Sequence, residues 1–271
     1  MNVRLNSRWW SFGFRSAIML YFVILIVLPI TGIYVQSFSL GLRPFWDSVS
    51  NPLAWKAVLL TLKLAVIATI LNMALGTMVG WVLVRYRFPG RRLLNSLVDL
   101  PFALPTAVTG LMILLLLGPG SFVGEWAGKA GIDIVFHEPA IVIAMLFVTF
   151  PFVIRAVQPL LEEIDASEEE AAYTLGASKA RTFFRVIFPS MLPGILSGAM
   201  LAFSRALAEF GAVVLIAGNI PGKTLVASVY IFGEIESDNP QGAAAVSIIL
   251  LTLSFAILWI VNYMQGRRTT R

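Results

Sequence analysis

Six long apolar stretches limit what this chain can fold into. They cover, in round numbers, residues 17–38, 57–84, 97–117, 140–160, 190–217 and 242–264. A helix needs about 20 apolar residues to cross a hydrocarbon core of about 30 Å, and each stretch meets that length. Because backbone inside a lipid bilayer must satisfy its own hydrogen bonds, such stretches fold as helices. The sequence therefore predicts an all-α polytopic membrane protein with six transmembrane helices, forming a single domain over residues 1–271.

The composition supports this class and excludes several kinds of chemistry. The 271 residues are 58% hydrophobic and 13% charged, whereas soluble domains are nearer half apolar and a quarter charged. The absence of cysteine excludes disulfides, thiolate chemistry and iron–sulfur clusters. His137 is the one histidine, so a multi-histidine metal site is also excluded. A membrane enzyme would need a cluster of nucleophile, base or metal ligands, and the sequence offers none.

The arginines and lysines predict the orientation of the helices, since basic residues collect in cytoplasmic loops. The two termini and the loops after the second and fourth stretches hold fourteen basic residues: Arg4, Arg8, Arg15, Arg85, Arg87, Arg91, Arg92, Arg155, Lys179, Arg181, Arg185, Arg267, Arg268 and Arg271. The opposite side holds four: Arg43, Lys56, Lys129 and Lys223. The sequence therefore predicts that both termini are cytoplasmic, in the plasma (inner) membrane of a bacterium.

Two prolines interrupt the third apolar stretch, in the segment DLPFALPTAVTG. Proline lacks the N–H that an α-helix needs and its ring crowds the preceding turn. Pro101 and Pro105 therefore predict a kinked or partly unwound helix at this position.

The segment AGNIPGKT (217–224) has the look of a phosphate-binding loop. Gly218 and Gly222 enclose three residues, whereas a P-loop has four residues between the glycines and needs a strand before it and a helix after it. The segment also falls on the predicted outer side, where ATP is absent. We therefore expect no nucleotide site here, and favour a plain turn over a nest of N–H groups that binds an anion.

The predicted cytoplasmic loop at 162–189 has structure of its own. Ser167 and Glu170 have the spacing of a capping box, which predicts a helix from Glu168. An apolar face follows and Gly176 is a natural stop. A second helix is expected from Ser178 to a break at Pro189.

Two interpretations of this loop are open. An amphipathic hairpin would lie on the inner leaflet, but three consecutive glutamates, residues 168–170, suit an anionic membrane surface poorly. A narrow apolar face with a carboxylate rim instead suits docking into a groove of another protein.

The order Glu170-Ala171-Ala172, Gly176 and Val186-x-Phe188-Pro189 resembles the EAA loop of ABC-importer permeases, EAA-x3-G-x9-I-x-L-P. The resemblance implies the type I ABC importer (MetI-like) permease fold. It also implies that the chain binds no cofactor, because a separate ATPase hydrolyses the ATP. The ATPase-coupling residues implied by it are Glu170, Ala171, Ala172, Leu175, Gly176 and Pro189.

Residues 85–110 and 203–224 resemble the sulfate/thiosulfate permease subunits of the CysT type. This resemblance implies four partners: a second homologous permease of the CysW type, two cytoplasmic ATPase subunits and a periplasmic sulfate/thiosulfate-binding protein. Surrounding lipid is expected, and nucleic acid is not. Molybdate/tungstate permeases resemble both segments and remain an alternative. Ala208 departs from the glycine that the family usually has before Glu-Phe-Gly.

Ionisable residues within the apolar stretches are costly and are candidates for function. Arg205 and Glu209 are four residues apart on the fifth stretch, where they can pair. The pair either locks the helix to a neighbour or, together with Ser204, borders the anion route at a permease–permease interface. A secondary transporter would use membrane carboxylates as ion sites, and Glu209 is the one deep carboxylate, with an arginine beside it. Lys63, Asp99 and His137 are expected to be structural or solvated.

Overall fold

The computed structural model describes residues 7–269, without the side chains of 7–12, 261–262 and 264–269. Arg4 and Arg271 therefore lie outside the described residues, as do the side chains of Arg8, Arg267 and Arg268. The described part contains helices and no strand. The helices are α1 (Ser7–Phe22), α2 (Leu28–Phe38), α3 (Leu42–Val49), α4 (Pro52–Arg85), α5 (Arg91–Leu97), α6 (Leu100–Ala103), α7 (Thr106–Leu117), α8 (Phe122–Lys129), α9 (Glu138–Glu163), α10 (Ala166–Thr174), α11 (Lys179–Thr182), α12 (Phe188–Leu207), α13 (Gly211–Ile216), α14 (Ala227–Glu236) and α15 (Pro240–Thr269).

Long apolar helices confirm the all-α membrane class. Within residues 7–269, five continuous helical runs are long and apolar enough to cross a membrane: Gly13–Phe38, Pro52–Arg85, Glu138–Glu163, Lys179–Leu207 and Pro240–Ile260. The pair α7 and α8, bent by 55°, supplies a sixth crossing if it counts as one span. The chain is a multi-pass membrane protein.

The centre of the molecule is a bundle of α4, α9 and α12. Small residues let these helices approach closely: a Cβ on Gly198 would lie 2.7 Å from the Val153 Cα on α9. A buried polar contact also crosses the bundle, since the Asn72 Nδ2 donates to the Thr149 hydroxyl oxygen at 2.6 Å. Close packing and hydrogen bonding replace the hydrophobic effect as the force between helices in lipid.

Shorter helices and the terminal helices surround this bundle. The half-length helix α13 packs on α7, while α14 packs on α4 and α15. The Thr61 hydroxyl accepts the Ala227 N–H at 2.7 Å, which fixes the start of α14 against α4. The helix α2 packs on α15, and most of its apolar surface is exposed.

The third and fifth stretches are broken helices. The third is divided into α6 and α7, with extended backbone at Leu104 immediately before Pro105. A residue before proline is pushed out of the helical region, which explains this break. The predicted helix over 190–217 is wrong as one continuous span: α12 ends at Leu207, and α13 begins at Gly211. Hydropathy alone did not reveal this break, because the apolar character continues through residue 217.

The predicted helix end at Pro189 is also wrong. Helix α11 passes through a π-helical turn at Phe183–Ile187 into α12, and the helical run Lys179–Leu207 is continuous. The Phe188 N–H bonds to the Phe183 carbonyl, five residues back. A wider turn before a proline relieves the clash between its ring and the preceding turn, so the helix continues.

We call the end of the bundle that carries Arg85, Arg87, Arg91 and Arg92 the basic end. Helix α4 ends there, and the turn to α5 follows. An ion pair between Arg85 and Glu169 places α10 at the same end.

Candidate functional site

The first candidate site is the α10 corner, residues 165–178. Its helix begins two residues before the predicted start, because Asp165 rather than Ser167 is the N-cap. The Asp165 carboxylate accepts the Ser167 N–H at 2.9 Å, and this bond holds the pKa of Asp165 below its ordinary value of 3.8. The capping box predicted at Ser167 and Glu170 is therefore wrong. Asp165, two residues earlier in the chain, caps the helix instead.

Gly176 ends α10 in a left-handed conformation, with φ +80°. The Gly176 N–H donates to the Tyr173 carbonyl at 2.9 Å, and the Ala177 N–H donates to the Ala172 carbonyl at 3.0 Å. This pair of bonds is a Schellman motif, which satisfies the last carbonyls of a helix and turns the chain. A Cβ at position 176 would meet no atom within 4 Å, so the demand for glycine comes from the backbone angle.

Several side chains of the α10 corner are exposed. Leu175 is 88% exposed, and Tyr173 is exposed as well. Glu170 and Ala171 are exposed, and Ala172 is half-buried. The structure thus brings five of the six predicted coupling residues together on one short helix and its end. Pro189 is the exception, because it belongs to α12.

A contact that the sequence did not reveal joins the α10 corner to the bundle. The Arg85 Nη2 lies 2.6 Å from the Glu169 Oε1, with both side chains mostly buried. The Arg85 guanidinium also lies over the Trp81 ring, with its Cζ 5.3 Å from the centroid. Residues 85 and 169 are far apart in the chain, and no local pattern links them. The ion pair therefore links α10 to the end of α4.

The second candidate site is the break between α12 and α13. Glu209 is 1% exposed, and its Oε2 lies 2.8 Å from the Arg205 Nη1 on the last turn of α12. The Glu209 Oε1 accepts the Ala212 N–H at 2.9 Å in the first turn of α13. The carboxylate therefore balances a cation and also caps a helix N-terminus, where negative charge is favoured. Arg205 keeps about a third of its side chain exposed.

The breaks in the third and fifth stretches lie side by side. A Cβ on Gly211 would collide with the Thr106 hydroxyl in the first turn of α7. A Cβ on Gly110 would lie 2.7 Å from the Ala212 carbonyl oxygen. Two half-helices, α7 and α13, thus pack backbone to backbone just beyond their interruptions. Paired discontinuous helices of this kind form ion and substrate sites in other transporters.

Ser204 and Ala208 line a cavity of about 400 Å³ between α12, α14 and α15. The Ser204 hydroxyl donates to the Met200 carbonyl at 2.8 Å and so is occupied within its own helix. Ala208 has φ −89°, a conformation that any residue adopts, so the backbone at this position does not require glycine.

The segment at 218–224 forms a closed turn. The N–H groups of Lys223, Thr224 and Leu225 all point at the Ile220 carbonyl, at 3.0–3.1 Å. The Ile220 N–H in turn donates to the Thr224 hydroxyl oxygen. These four donors are occupied internally, as in a plain turn.

The remaining charged candidates have structural partners. Lys63 pairs with Glu138 at 2.6 Å, and the Arg155 guanidinium bonds to Asp99, with its Nε 2.7 Å from the Oδ1. Arg155 belongs to α9 rather than to a loop. The exposed His137 precedes α9 and contacts the Val135 carbonyl. Across residues 7–269, no three His, Cys, Asp or Glu side chains gather closely enough to hold a metal ion.

Sequence comparison defines the class of protein. The profile of the family described as "binding-protein-dependent transport system inner membrane component" matches residues 72–270. That range contains α9 to α13, and with them both candidate sites. The chain belongs to this family of importer permeases.

Individual relatives are more specific. The chain is 43% identical over 251 residues to the "sulfate transport system permease protein CysT" of Synechocystis sp., covering 92% of this chain and 88% of that protein. It is 41% identical over 249 residues to the protein of the same name from Escherichia coli (strain K12), covering 92% and 90%.

Solved structures show the same fold. A bacterial ABC transporter involved in import of the polysaccharide alginate aligns with a TM-score of 0.81 at 17% identity, covering 98% of both chains. The MetNI methionine ABC transporter, in an inward-facing conformation, aligns with a TM-score of 0.58 at 19% identity, covering 80% of this chain and 96% of that one. These likenesses confirm the type I ABC importer (MetI-like) permease fold.

Proposed function

We propose that the chain is the membrane permease subunit of an ATP-driven importer that moves sulfate or thiosulfate into the cytoplasm. The observation that carries this proposal is the 43% identity, over 92% of the chain, to a sulfate transport permease. The proposed subunit performs no covalent chemistry itself. Its work is to alternate access across the membrane while a partner hydrolyses ATP.

The α10 corner is the proposed docking site for that ATPase. It presents exposed Leu175 and Tyr173 beside the carboxylate of Glu170, a small apolar surface with an acidic rim. Two routes carry its movement into the bundle. One is the Arg85–Glu169 ion pair to α4, and the other is the helical run Lys179–Leu207. At 1.5 Å per residue, this run of 29 residues extends about 43 Å.

The far end of that run is the proposed control point of the anion route. Arg205 lies on the last turn of α12 and remains partly exposed while Glu209 is buried, so one side of the cation can face a passing anion. Ser204 lies beside it on the same helix. Sulfate can also be carried by neutral donors and helix N-termini, so Arg205 need not be its sole contact. A structural ion pair is the alternative role.

The proposed partners are a second permease of the CysW type, two ATPase subunits and a periplasmic sulfate/thiosulfate-binding protein. Two solved relatives of the same fold support these kinds of partner. One is an alginate transporter in complex with a pentasaccharide-bound periplasmic protein, and the other is the MetNI transporter. The proposed location is the bacterial inner membrane, with both termini and the basic end on the cytoplasmic side. The distribution of basic residues supports this orientation.

Competition between oxyanions tests the substrate. Vesicles that contain the whole complex are supplied with labelled sulfate, alone and with excess thiosulfate or molybdate. We expect thiosulfate to compete and molybdate to leave most uptake intact. Strong inhibition by molybdate, with weak inhibition by unlabelled sulfate, would reassign the complex to molybdate/tungstate import.

A further inference from the structure

A large polar cavity lies at the basic end, separate from the α10 corner and the α12–α13 break. Its volume is about 700 Å³, and it is bounded by the end of α4, the turn to α5, α5 itself and α9. The polar and charged side chains that line it are Arg87, Arg91, Arg92, Asn95, Arg155, Gln158 and Glu162. Neither the docking role nor the anion route uses it.

One wall of the cavity is held rigidly by Arg155. All five guanidinium N–H groups have partners, because Nε bonds to Asp99, Nη1 bonds to Asn95 and Gln158, and Nη2 bonds to the Asn95 carbonyl and Asp99. These bonds fix both amides with their oxygens toward Arg155. The Gln158 Nε2 also donates to the Asn95 Oδ1 at 3.1 Å. The Asn95 NH₂ group is thereby left as a donor on the wall, with no acceptor among the described residues.

Three other arginines supply uncompensated charge. Arg87, Arg91 and Arg92 form no ion pair with any residue in 7–269, and Arg91 is half-buried. Glu162 is the single carboxylate in the lining. A cavity with three unpaired guanidinium groups and an oriented amide donor, against one carboxylate, is electrostatically suited to an anion.

We propose that this cavity binds a tetrahedral oxyanion. Guanidinium forks match the oxygen spacing of phosphate and sulfate, and a fixed amide donor adds direction. The oxyanion has two sources: the headgroup of an acidic phospholipid at the membrane surface, or dissolved sulfate or phosphate. Arg87, which lines the cavity, is two residues along the chain from Arg85, the α4 partner in the ion pair to α10.

Two probes distinguish the sources, each applied to the full-length protein with its co-purifying subunits in nanodiscs. The lipid probe is phosphatidylglycerol mixed with phosphatidylcholine, and native mass spectrometry counts the phosphatidylglycerol retained per chain. The dissolved probes are sulfate and phosphate, titrated calorimetrically into discs of phosphatidylcholine alone. The test variants are Arg91→Gln and Arg92→Gln. Arg15→Gln, an exposed arginine of α1 outside the cavity, is the matched control.

We expect each test variant to weaken binding of one probe roughly fivefold, the effect of losing a partly exposed charged contact. Arg15→Gln should bind as the wild type does, and Glu162→Gln should bind more tightly because it removes the opposing carboxylate. A loss confined to phosphatidylglycerol assigns the site to lipid, and a loss confined to sulfate or phosphate assigns it to dissolved anions. The proposal would be overturned if neither probe binds the wild-type protein. It would also be overturned if Arg15→Gln weakens binding as much as the test variants do.

Discussion

At the α12–α13 break, the Glu209 side chain both pairs with a cation and caps a helix. Glu209 is buried between Arg205 and the first turn of α13, so it cannot lose its cation without leaving an unpaired charge in a low-dielectric setting. The pairing of residues 205 and 209 follows from their spacing in the sequence. The capping of Ala212 does not, because it depends on the chain leaving the helix at residues 208–210.

Removal of the Arg205 cation alone should therefore lower the stability of the protein more than removal of both the Arg205 and the Glu209 charges. We expect Arg205→Ala to destabilise the protein by about 3–5 kcal/mol, because a buried carboxylate loses its partner. The double variant Arg205→Ala/Glu209→Gln should recover assembly, since the glutamine oxygen still accepts the Ala212 N–H. Thermal stability and recovery of the purified complex report these effects.

Uptake in that double variant separates the two roles of Arg205. An assembled complex that imports no sulfate supports a contact with the anion. Normal uptake assigns the pair to structure alone. If the double variant is less stable than Arg205→Ala, then Glu209 is not an uncompensated buried charge in the single variant.

Among the elements, the α10 corner was the most predictable and the broken spans the least. Glycine with positive φ is a local requirement, so the sequence was sufficient to place the turn at Gly176. The sequence also placed a helix ahead of it but chose Ser167 as its cap, because two caps of similar quality, Asp165 and Ser167, stand two residues apart. The break after Leu207 and the contact of Arg85 with Glu169 depend on residues from distant parts of the chain.

Substitutions at Gly176 should be tolerated in proportion to how readily the new residue adopts the left-handed backbone conformation. We expect Gly176→Val to cost roughly 1–2 kcal/mol locally and to reduce co-purification of the ATPase, because a β-branched residue is strained at positive φ. Gly176→Asn is the matched control, since asparagine tolerates this conformation, and it should retain the partner. Retention of the ATPase and of its substrate-stimulated activity by Gly176→Val would show that this corner is not the coupling element.

The ion pair between α4 and α10 predicts a compensating exchange. Arg85→Glu alone places two carboxylates together and should reduce substrate-stimulated ATP hydrolysis. Adding Glu169→Arg restores opposite charges and should recover part of the activity, with a coupling energy of about 1 kcal/mol in a double-mutant cycle. Additive effects of the two substitutions on ATP hydrolysis would mean that the Arg85–Glu169 ion pair does not couple α10 to α4.

The molecule is a bundle of membrane helices whose two ends carry different features. One end carries the α10 corner and the arginine-lined cavity. The closed turn at residues 218–224 lies at the other end, since Gly222 approaches Lys56 at the start of α4. The apolar stretches and the family resemblance were sufficient to predict the class and the fold. They could not predict how half-helices α7 and α13 meet, because that contact depends on backbone approach at Gly110 and Gly211.

Orientation is testable because the chain contains no cysteine. Lys223→Cys lies on the exposed turn and should react with an impermeant maleimide added to intact spheroplasts. Lys179→Cys, an exposed position on α11, is the control and should react only after the membrane is opened. The reverse pattern would invert the proposed topology.

Transport of sulfate by this chain should depend on ATP hydrolysed by a partner. The most direct measurement is labelled sulfate uptake by proteoliposomes that hold the purified complex, with ATP supplied to the face bearing the α10 corner and binding protein to the other. We expect uptake that requires ATP, the ATPase and the binding protein together, and that falls with Gly176→Val. Uptake driven by a proton or sodium gradient without ATP, or purification of an active transporter with no ATPase, would contradict it.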